Sequence, residues 1–351
     1  MTRIIALILT VLMVLVCFTA CNDSSDTPDT GNSEAGTQTS DVTGDSGAAT
    51  ENGQQTDDTD GNVSGDHMLD GKKIIFVGNS HTYYGKNVIE KKQTVLTQEA
   101  RSNDKGYFYQ LCKSNGAEVS VTNWTFGAHD FTDLFENCTA NRGCDGVDHL
   151  SYLVDRSFDY VVLQQGSGGK DDTDFVNTCN KVMNIFRAAN PNVRFVLLVQ
   201  RSAHFDNYVW LSSIKELAAQ GVTIVDWGAL VDDIINGKVQ VPGAKQTYNK
   251  NSFIVCKSAD DGYHPNMLTG YITSLMTYCA LTGEDAEGQD YSFCGNTKIS
   301  NNFSFTKFIS SYYTYNGATT NFTKIFESAD DMKGIQQLVD RYLEEKAYMN
   351  Y

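Results

Sequence analysis

The sequence predicts an α/β fold, a three-layer α/β/α sandwich on a five-stranded parallel sheet. An apolar run rich in β-branched residues, Lys73–Val77, ends at Gly78-Asn79-Ser80 and gives way to a helix-like segment. Further apolar runs alternate with helical stretches, which favours parallel strands with helices on both faces. The predicted strands are Lys73–Val77, Glu118–Asn123, Tyr160–Gln164, Arg194–Val199 and Thr223–Asp226. The predicted helices are Lys86–Glu99, Tyr107–Ser114, Asp174–Ala189, Tyr208–Gln220 and Asn266–Leu281.

Residues 1–21 are predicted to be an export signal. Arg3 provides a short positive region, and Ile4–Phe18 is apolar but too short to span a membrane comfortably. The ending Phe18-Thr19-Ala20-Cys21 resembles the lipobox of bacterial lipoproteins, which implies a lipid on Cys21 and a protein on the extracellular face of a bacterial cell membrane. An ordinary cleaved secretory signal is the alternative.

Residues 22–67 are predicted to form a disordered acidic tether. The segment has no Lys or Arg and almost no apolar residues, so it cannot bury enough surface to offset the entropy of ordering. The formal net charge of −16 argues against nucleic acid or an anionic membrane surface as a partner. Membrane contact is therefore expected through the N-terminal lipid only.

The folded part divides into a domain at residues 68–283 and a C-terminal extension at 284–351. The segment Asn296–Phe322 is rich in Ser, Thr, Asn and aromatic residues, and Ala329–Tyr348 has apolar residues at helical spacing. The extension is expected to pack on the domain. A short glycan-binding module is the alternative.

The cysteines indicate no metal site. The chain has 9 cysteines but no CxxC pair and no Cys/His cluster at zinc-ligand spacing, and we expect neither a metal nor another cofactor. Cys138 and Cys144 flank a short loop and either form a local disulfide or stay as free thiols. Most of the other cysteines lie in apolar runs and are expected to pack as small hydrophobic residues.

Ser80 is the first candidate for chemistry. It follows the first predicted strand, and ligands gather at the carboxyl ends of the strands in an open α/β sheet. A hydroxyl at this turn is either a nucleophile, which needs an adjacent base, or part of a phosphate cradle.

His264 is the candidate base. Asp261 stands three residues earlier in the loop between the fifth strand and the last helix, and an Asp in this position can hold a His ring while its other nitrogen faces outward. The alternative for the pair alone is a helix cap beside a surface histidine. Ser80 and the Asp261–His264 pair both follow strands of the same parallel sheet, which favours the nucleophile.

These motifs resemble those of the SGNH/GDSL hydrolase superfamily over most of residues 72–281. Gly78-Asn79-Ser80 is similar to the Gly-Asp-Ser block of that family, with Asn for Asp, and Asp261-x-x-His264 is similar to its last block. The resemblance implies a flavodoxin-like sheet, a Ser80–His264–Asp261 triad and no cofactor.

The resemblance also implies an oxyanion hole. The backbone N–H groups of Ser80 and Gly127 are the expected donors, with Gly127 following the second strand in Trp124-Thr125-Phe126-Gly127. The third block of the family normally supplies an Asn, and this chain has Gln164-Gln165-Gly166 there instead. Gln165 is the expected third donor and Gln164 the alternative, because adjacent strand residues face opposite ways.

Four residues that flank the motifs are expected either to line a sugar-binding cleft or to pack in the interior. They are Tyr83, Trp124, His129 and Tyr263.

The leading hypothesis is a surface-anchored serine esterase that deacetylates extracellular carbohydrate, its substrate being an acylated glycan or another small ester. An inactive SGNH relative that binds glycans is the main alternative, prompted by the atypical third block. A phosphate-binding protein is a further possibility, although phosphate binding does not require Asp261 and His264.

Overall fold

The computed structural model describes ten stretches of the chain. They are residues 67–83, 105–126, 130–135, 150, 153, 155–164, 172–200, 211–255, 264–295 and 329–345. The predictions for the signal segment, residues 22–66 of the tether, the helix Lys86–Glu99, the Cys138–Cys144 disulfide and the segment Asn296–Phe322 lie outside these residues. No helix within the stretches is long and apolar enough to cross a membrane.

Five parallel strands form the central sheet, as the sequence predicted. The strands are β1 (Lys73–Gly78), β2 (Ser120–Thr125), β3 (Tyr160–Leu163), β4 (Arg194–Leu198) and β5 (Thr223–Val225). Their order in the sheet is β2-β1-β3-β4-β5, and every neighbouring pair is parallel. This is the flavodoxin-like order, in which the chain reverses its direction of travel between β1 and β3.

Helices cover both faces of the sheet. They are α1 (Ser80–Tyr83), α2 (Tyr107–Ser114), α3 (Phe131–Phe135), α4 (Asp172–Ala189), α5 (Leu211–Ala219), α6 (Trp227–Ile235), α7 (Lys250–Phe253), α8 (Met267–Thr282) and α9 (Ala329–Glu344). A short antiparallel pair, β6 (Ile254–Val255) and β7 (His264–Pro265), precedes α8. The three-layer α/β/α architecture is therefore confirmed.

Alternate residues of each strand enter two separate cores, as the period of a strand requires. The α8-side core joins Ile74, Phe76, Val162, Val196, Leu198 and Val225 of the sheet to buried residues of α2, α6, α8 and α9. The α4-side core joins Ile75, Val77, Val161, Leu163, Leu197 and Val199 to buried residues of α3, α4 and α5. Four cysteines, Cys112, Cys179, Cys279 and Cys294, are free and buried, as expected for thiols packed as small hydrophobic residues.

All five predicted strands differ from the observed ones by one or two residues at one or both ends, and two of these differences have a clear hydrogen-bonding cause. Glu118 lies before β2, where its N–H donates to Asp70 Oδ1 (2.9 Å) and its carbonyl accepts from Gly71 N–H (2.8 Å). Asp226 does not end β5, because its carboxylate accepts from Ala229 N–H (3.1 Å) and caps α6. The helix α6 was absent from the sequence prediction.

The C-terminal helix α9 packs on the rest of the domain. Met332, Ile335 and Val339 are fully buried in the α8-side core. Two side chains of α9 also form hydrogen bonds to other helices. Gln336 Nε2 donates to Tyr271 Oη of α8 (2.9 Å), and Tyr342 Oη donates to Asp233 Oδ2 of α6 (2.6 Å). These bonds fix the helix against elements earlier in the chain.

His67, expected as the last residue of the tether, is bound to the domain. Its Nδ1 accepts from Leu69 N–H (3.1 Å), its Nε2 lies 2.8 Å from Tyr278 Oη, and its ring stacks on that tyrosine. His67 therefore belongs to the folded domain.

Candidate active site

The candidate site lies where β1 and β3 end side by side at the carboxyl edge of the sheet. Val77 of β1 pairs with Leu163 of β3, and the chain leaves β1 at Gly78 to begin α1 at Ser80. The order of the strands reverses between these two neighbours. In open α/β sheets such a switch point is where a crevice for ligands opens.

Asn79 starts the helix that contains Ser80. Its side-chain Oδ1 accepts from His81 N–H (3.1 Å), and its backbone carbonyl accepts from Thr82 N–H (2.9 Å). Asn favours such positions because its short side chain can satisfy N–H groups that a helix start leaves without partners. Asn79 therefore serves as a neutral acceptor at the start of this helix.

Gln164 holds the same turn from the neighbouring strand. Its Oε1 accepts from Asn79 N–H (3.2 Å) and from Thr82 Oγ1 (2.9 Å). The Gln164 side chain is buried, and its backbone N–H donates to the Val77 carbonyl (2.8 Å). The carbonyl end of this amide is therefore directed at the turn before and after Ser80.

Gly78 has a steric reason to be glycine. A Cβ atom at this position would lie 2.6 Å from Thr82 Oγ1 and 2.9 Å from Gln164 Oε1. Both distances are below van der Waals contact, so any larger residue would displace one of these groups. The first residue of the Gly-Asn-Ser motif thus allows β1 and the Gln164 side chain to come close.

Ser80 is half-buried, and the residue after it is not a candidate base in this environment. His81 is buried, and loss of solvent lowers the pKa of its imidazole to about 3. This ring is therefore neutral at physiological pH and too weakly basic to take the Ser80 proton readily.

The backbone of His264 lies in β7, directly before α8. Pro265 pairs with Ile254, and Asn266 is the helix cap. The Asn266 side chain accepts from Thr269 N–H (3.1 Å) and donates to the Ser252 carbonyl (2.7 Å). These bonds fix the backbone just after His264.

The structure places α1 close to β7. Residues of α1, which begins at Ser80, have Cα atoms within 8 Å of residues of β7, which begins at His264. The two segments are far apart in sequence, and both lie at the carboxyl edge of the sheet. For the two predicted site residues His264 and Tyr83, the structure describes the backbone.

The other predicted site residues have different outcomes. Asp261, Gly127, Gln165, His129 and Tyr263 lie outside the described residues. Trp124 belongs to the α4-side core, where it is fully buried and its Nε1 donates to the Leu134 carbonyl (3.3 Å). Trp124 thus packs in the interior, and we do not include it among the residues that line a cleft.

Gln200 is a polar residue at the same edge that the sequence analysis missed. It follows β4 and is 1% exposed. Within the part of the chain that the structure describes, neither Oε1 nor Nε2 of Gln200 has a hydrogen-bond partner. The sequence feature that could have identified Gln200 is its position directly after the apolar run Phe195–Val199.

No group of three or more His, Cys, Asp or Glu side chains among the described residues could hold a metal ion.

The chain matches no protein-family model and no curated protein. Among solved structures, it is similar to an acetylxylan esterase from Geobacillus stearothermophilus, with 14% identity and a TM-score of 0.40 over 62% of this chain and 96% of that one. It is also similar to a GDSL-like lipase from Parabacteroides merdae ATCC 43184, with 14% identity and a TM-score of 0.40 over 61% and 96%.

A third similar structure is a carbohydrate esterase family 2 enzyme with a carbohydrate binding domain from Myceliophthora fergusii. The identity is 15% and the TM-score 0.36, over 61% of this chain and 67% of that one. At these values we draw nothing about the chemistry of this chain from the likenesses.

Proposed function

We propose that this chain is a serine esterase of SGNH type that removes acetyl groups from extracellular carbohydrate. The observation that carries the proposal is the position of Ser80 at the switch point of the sheet, with the backbone of His264 beside its helix. A serine hydroxyl needs an adjacent base to attack an ester, and Asp261-x-x-His264 contains the candidate base. The choice of carbohydrate rests on the resemblance of the motifs to SGNH enzymes.

The proposed reaction has two steps. Ser80 Oγ attacks the carbonyl carbon of the ester while His264 takes the hydroxyl proton, and the same proton then passes to the leaving alcohol. Water attacks the acyl-serine in the second step, His264 takes a proton from the water, and the acid leaves as Ser80 regains its hydrogen. Asp261 orients the His264 ring throughout.

The negative oxygen of each tetrahedral intermediate needs hydrogen-bond donors. We assign this role to the backbone N–H groups of Ser80 and Gly127 and to the side-chain amide of Gln165. Removal of one such donor costs about two to three decades in rate in known hydrolases. Gln165→Leu is therefore expected to lower turnover by about this factor.

We further propose that a lipid on Cys21 anchors the protein at the outer surface of a bacterial membrane, where residues 22–66 act as a tether. This placement gives the enzyme access to polymers outside the cell. The intact mass of the exported protein tests the anchor, because an unmodified amine at Cys21 would contradict it.

The decisive experiment for the esterase is labelling of the purified exported protein with a fluorophosphonate, followed by peptide mapping. We expect the label on Ser80, together with hydrolysis of p-nitrophenyl acetate. Ser80→Ala and His264→Ala should each lower turnover by about a thousandfold or more. Unchanged turnover in Ser80→Ala, or a label on a different residue, would refute the mechanism.

A glycan-binding protein without catalytic activity is the second candidate. It is prompted by the atypical third block, where the Gln164 side chain is tied to the turn through its Oε1 atom, which can accept a hydrogen bond but cannot donate one to an oxyanion. This candidate predicts that acetylated xylan binds to wild type and to Ser80→Ala equally and is not hydrolysed by either.

A further inference from the structure

We propose that Gln164 is a positioning residue, which fixes the Gly78–Thr82 turn and through it the orientation of Ser80. The catalytic meaning of this role rests on the esterase proposed above. The contacts themselves belong to the folded chain and can be tested without substrate.

The orientation of the Gln164 amide follows from its partner. The backbone N–H of Asn79 can only donate, so the amide atom that faces it must be the carbonyl oxygen. The Oε1–Asn79 N distance is 3.2 Å, and Thr82 Oγ1 donates to the same oxygen at 2.9 Å. One oxygen thus uses both of its lone pairs on the turn.

The two donors lie on either side of the nucleophile. Asn79 directly precedes Ser80, and Thr82 follows it by two residues. A single acceptor that binds both limits the rotation of the peptide groups between them. Gln164, which follows β3, is itself held against β1, since its N–H donates to the Val77 carbonyl at 2.8 Å. The pairing of β1 with β3 therefore helps to set the position of Ser80.

Burial makes these bonds hard to replace. The exposed fraction is 2% for Asn79, 1% for Thr82 and 2% for Gln164. Water cannot readily reach a donor that loses its partner at such a site, so the turn must move to satisfy it.

Gly78 is independent support for a close fit. A Cβ atom there would lie 2.9 Å from Gln164 Oε1 and 3.1 Å from Gln164 Cβ. The backbone of β1 therefore approaches the Gln164 side chain more closely than any residue with a Cβ would allow.

Two substitutions test the role from both sides. Gln164→Met keeps the length of the side chain and removes the acceptor, while Thr82→Val keeps the shape and removes one donor. Thr277→Val is the matched control, because Thr277 is a fully buried threonine whose hydroxyl donates to the Thr273 carbonyl in α8. Each protein is purified as the exported chain.

The first measurement is amide hydrogen exchange of the peptide that covers residues 78–83, followed by mass spectrometry. Both test variants should exchange faster there than wild type, and Thr277→Val should not. Unchanged exchange in Gln164→Met would overturn the proposal, whether or not the protein hydrolyses esters. If the two variants exchange faster but the wild type does not hydrolyse esters, the role of Gln164 in the turn is supported and the proposed function is contradicted.

The second measurement is steady-state hydrolysis of p-nitrophenyl acetate. A displaced nucleophile should lower kcat by about ten- to a hundredfold with KM within about twofold of wild type. The double variant should lose less than the product of the two single losses, because both substitutions act on one oxygen. Independent, multiplicative losses, or a rise in KM alone, would overturn the positioning role.

Discussion

Two buried glutamines end neighbouring strands of the sheet, and they differ in their hydrogen bonds. Gln164 follows β3 and Gln200 follows β4, and both are at most 2% exposed. Val162 and Leu198 belong to the α8-side core, and alternation places each glutamine on the same side of the sheet as the core residue two positions before it. Gln164 bonds to the turn before Ser80, while neither amide atom of Gln200 has a partner in the described part of the chain.

The two glutamines illustrate two effects of a buried amide, one on the specificity of the local structure and one on stability. A buried amide whose oxygen is satisfied by two donors specifies one arrangement of the groups around it. A buried amide without partners lowers stability by about 1–3 kcal/mol and gives no such specificity. At the edge of the sheet near Ser80, the buried amide after β3 is therefore bonded to the turn, whereas the buried amide after β4 has no such bond in the described part of the chain.

The largest effect is expected for Gly78→Ala, because it disturbs the turn to which Gln164 is bonded. The added methyl group would meet Thr82 Oγ1 at 2.6 Å and Gln164 Oε1 at 2.9 Å. We expect the free energy of unfolding to fall by about 3 kcal/mol, as measured by urea denaturation. The double variant Gly78→Ala/Thr82→Ala removes the closer clash and should regain part of this loss; no recovery would mean that the clash is not the cause.

Gln164→Met should have the next largest effect on stability. It leaves the Asn79 N–H and the Thr82 hydroxyl without their acceptor, and we expect a loss of about 2 kcal/mol. The midpoint of urea denaturation measures the loss, provided that its slope is unchanged. A midpoint equal to that of wild type would show that the two donors find other acceptors.

Gln200→Met, the same substitution one strand away, should have the opposite sign. It replaces an amide without partners by an apolar side chain of similar volume, so the free energy of unfolding should rise by about 1 kcal/mol. The same urea titration measures it, with Gln164→Met as the matched control. A loss of stability in both variants would contradict the difference between the two sites.

His81 should give the smallest effect and one that depends on pH. Its pKa is about 3 in the folded chain and ordinarily 6.5, so the unfolded chain binds a proton that the folded chain does not. This contribution to stability is fully present above pH 6.5 and is lost as the pH falls towards 3, with roughly 0.7 kcal/mol lost between pH 7 and 6. The difference in slope between wild type and His81→Gln measures it, and identical slopes would contradict the burial of a neutral ring.

Much of the fold followed from short-range patterns. The helix Tyr107–Ser114 was predicted at both ends, and all five strands were found because each is a short run rich in apolar or β-branched residues between turns. The predicted ends of strands were wrong where a side chain accepts a hydrogen bond from the backbone. Asp226 caps α6 and Asp70 accepts from the N–H of Glu118, and neither bond leaves a mark in the periodicity of hydrophobic residues.

The sequence alone determined that Ser80 follows the first strand of a parallel sheet and that Asp261 and His264 follow its last strand, because the succession of strands, turns and helices along the chain is written in local patterns of residues. Only the tertiary structure decided that Trp124 packs in the core and that Gln164 bonds to Asn79, 85 positions away in the chain. These contacts depend on the register between β1 and β3 and on the packing of each face. Such contacts form only when the whole sheet is assembled, so no stretch of sequence specifies them by itself.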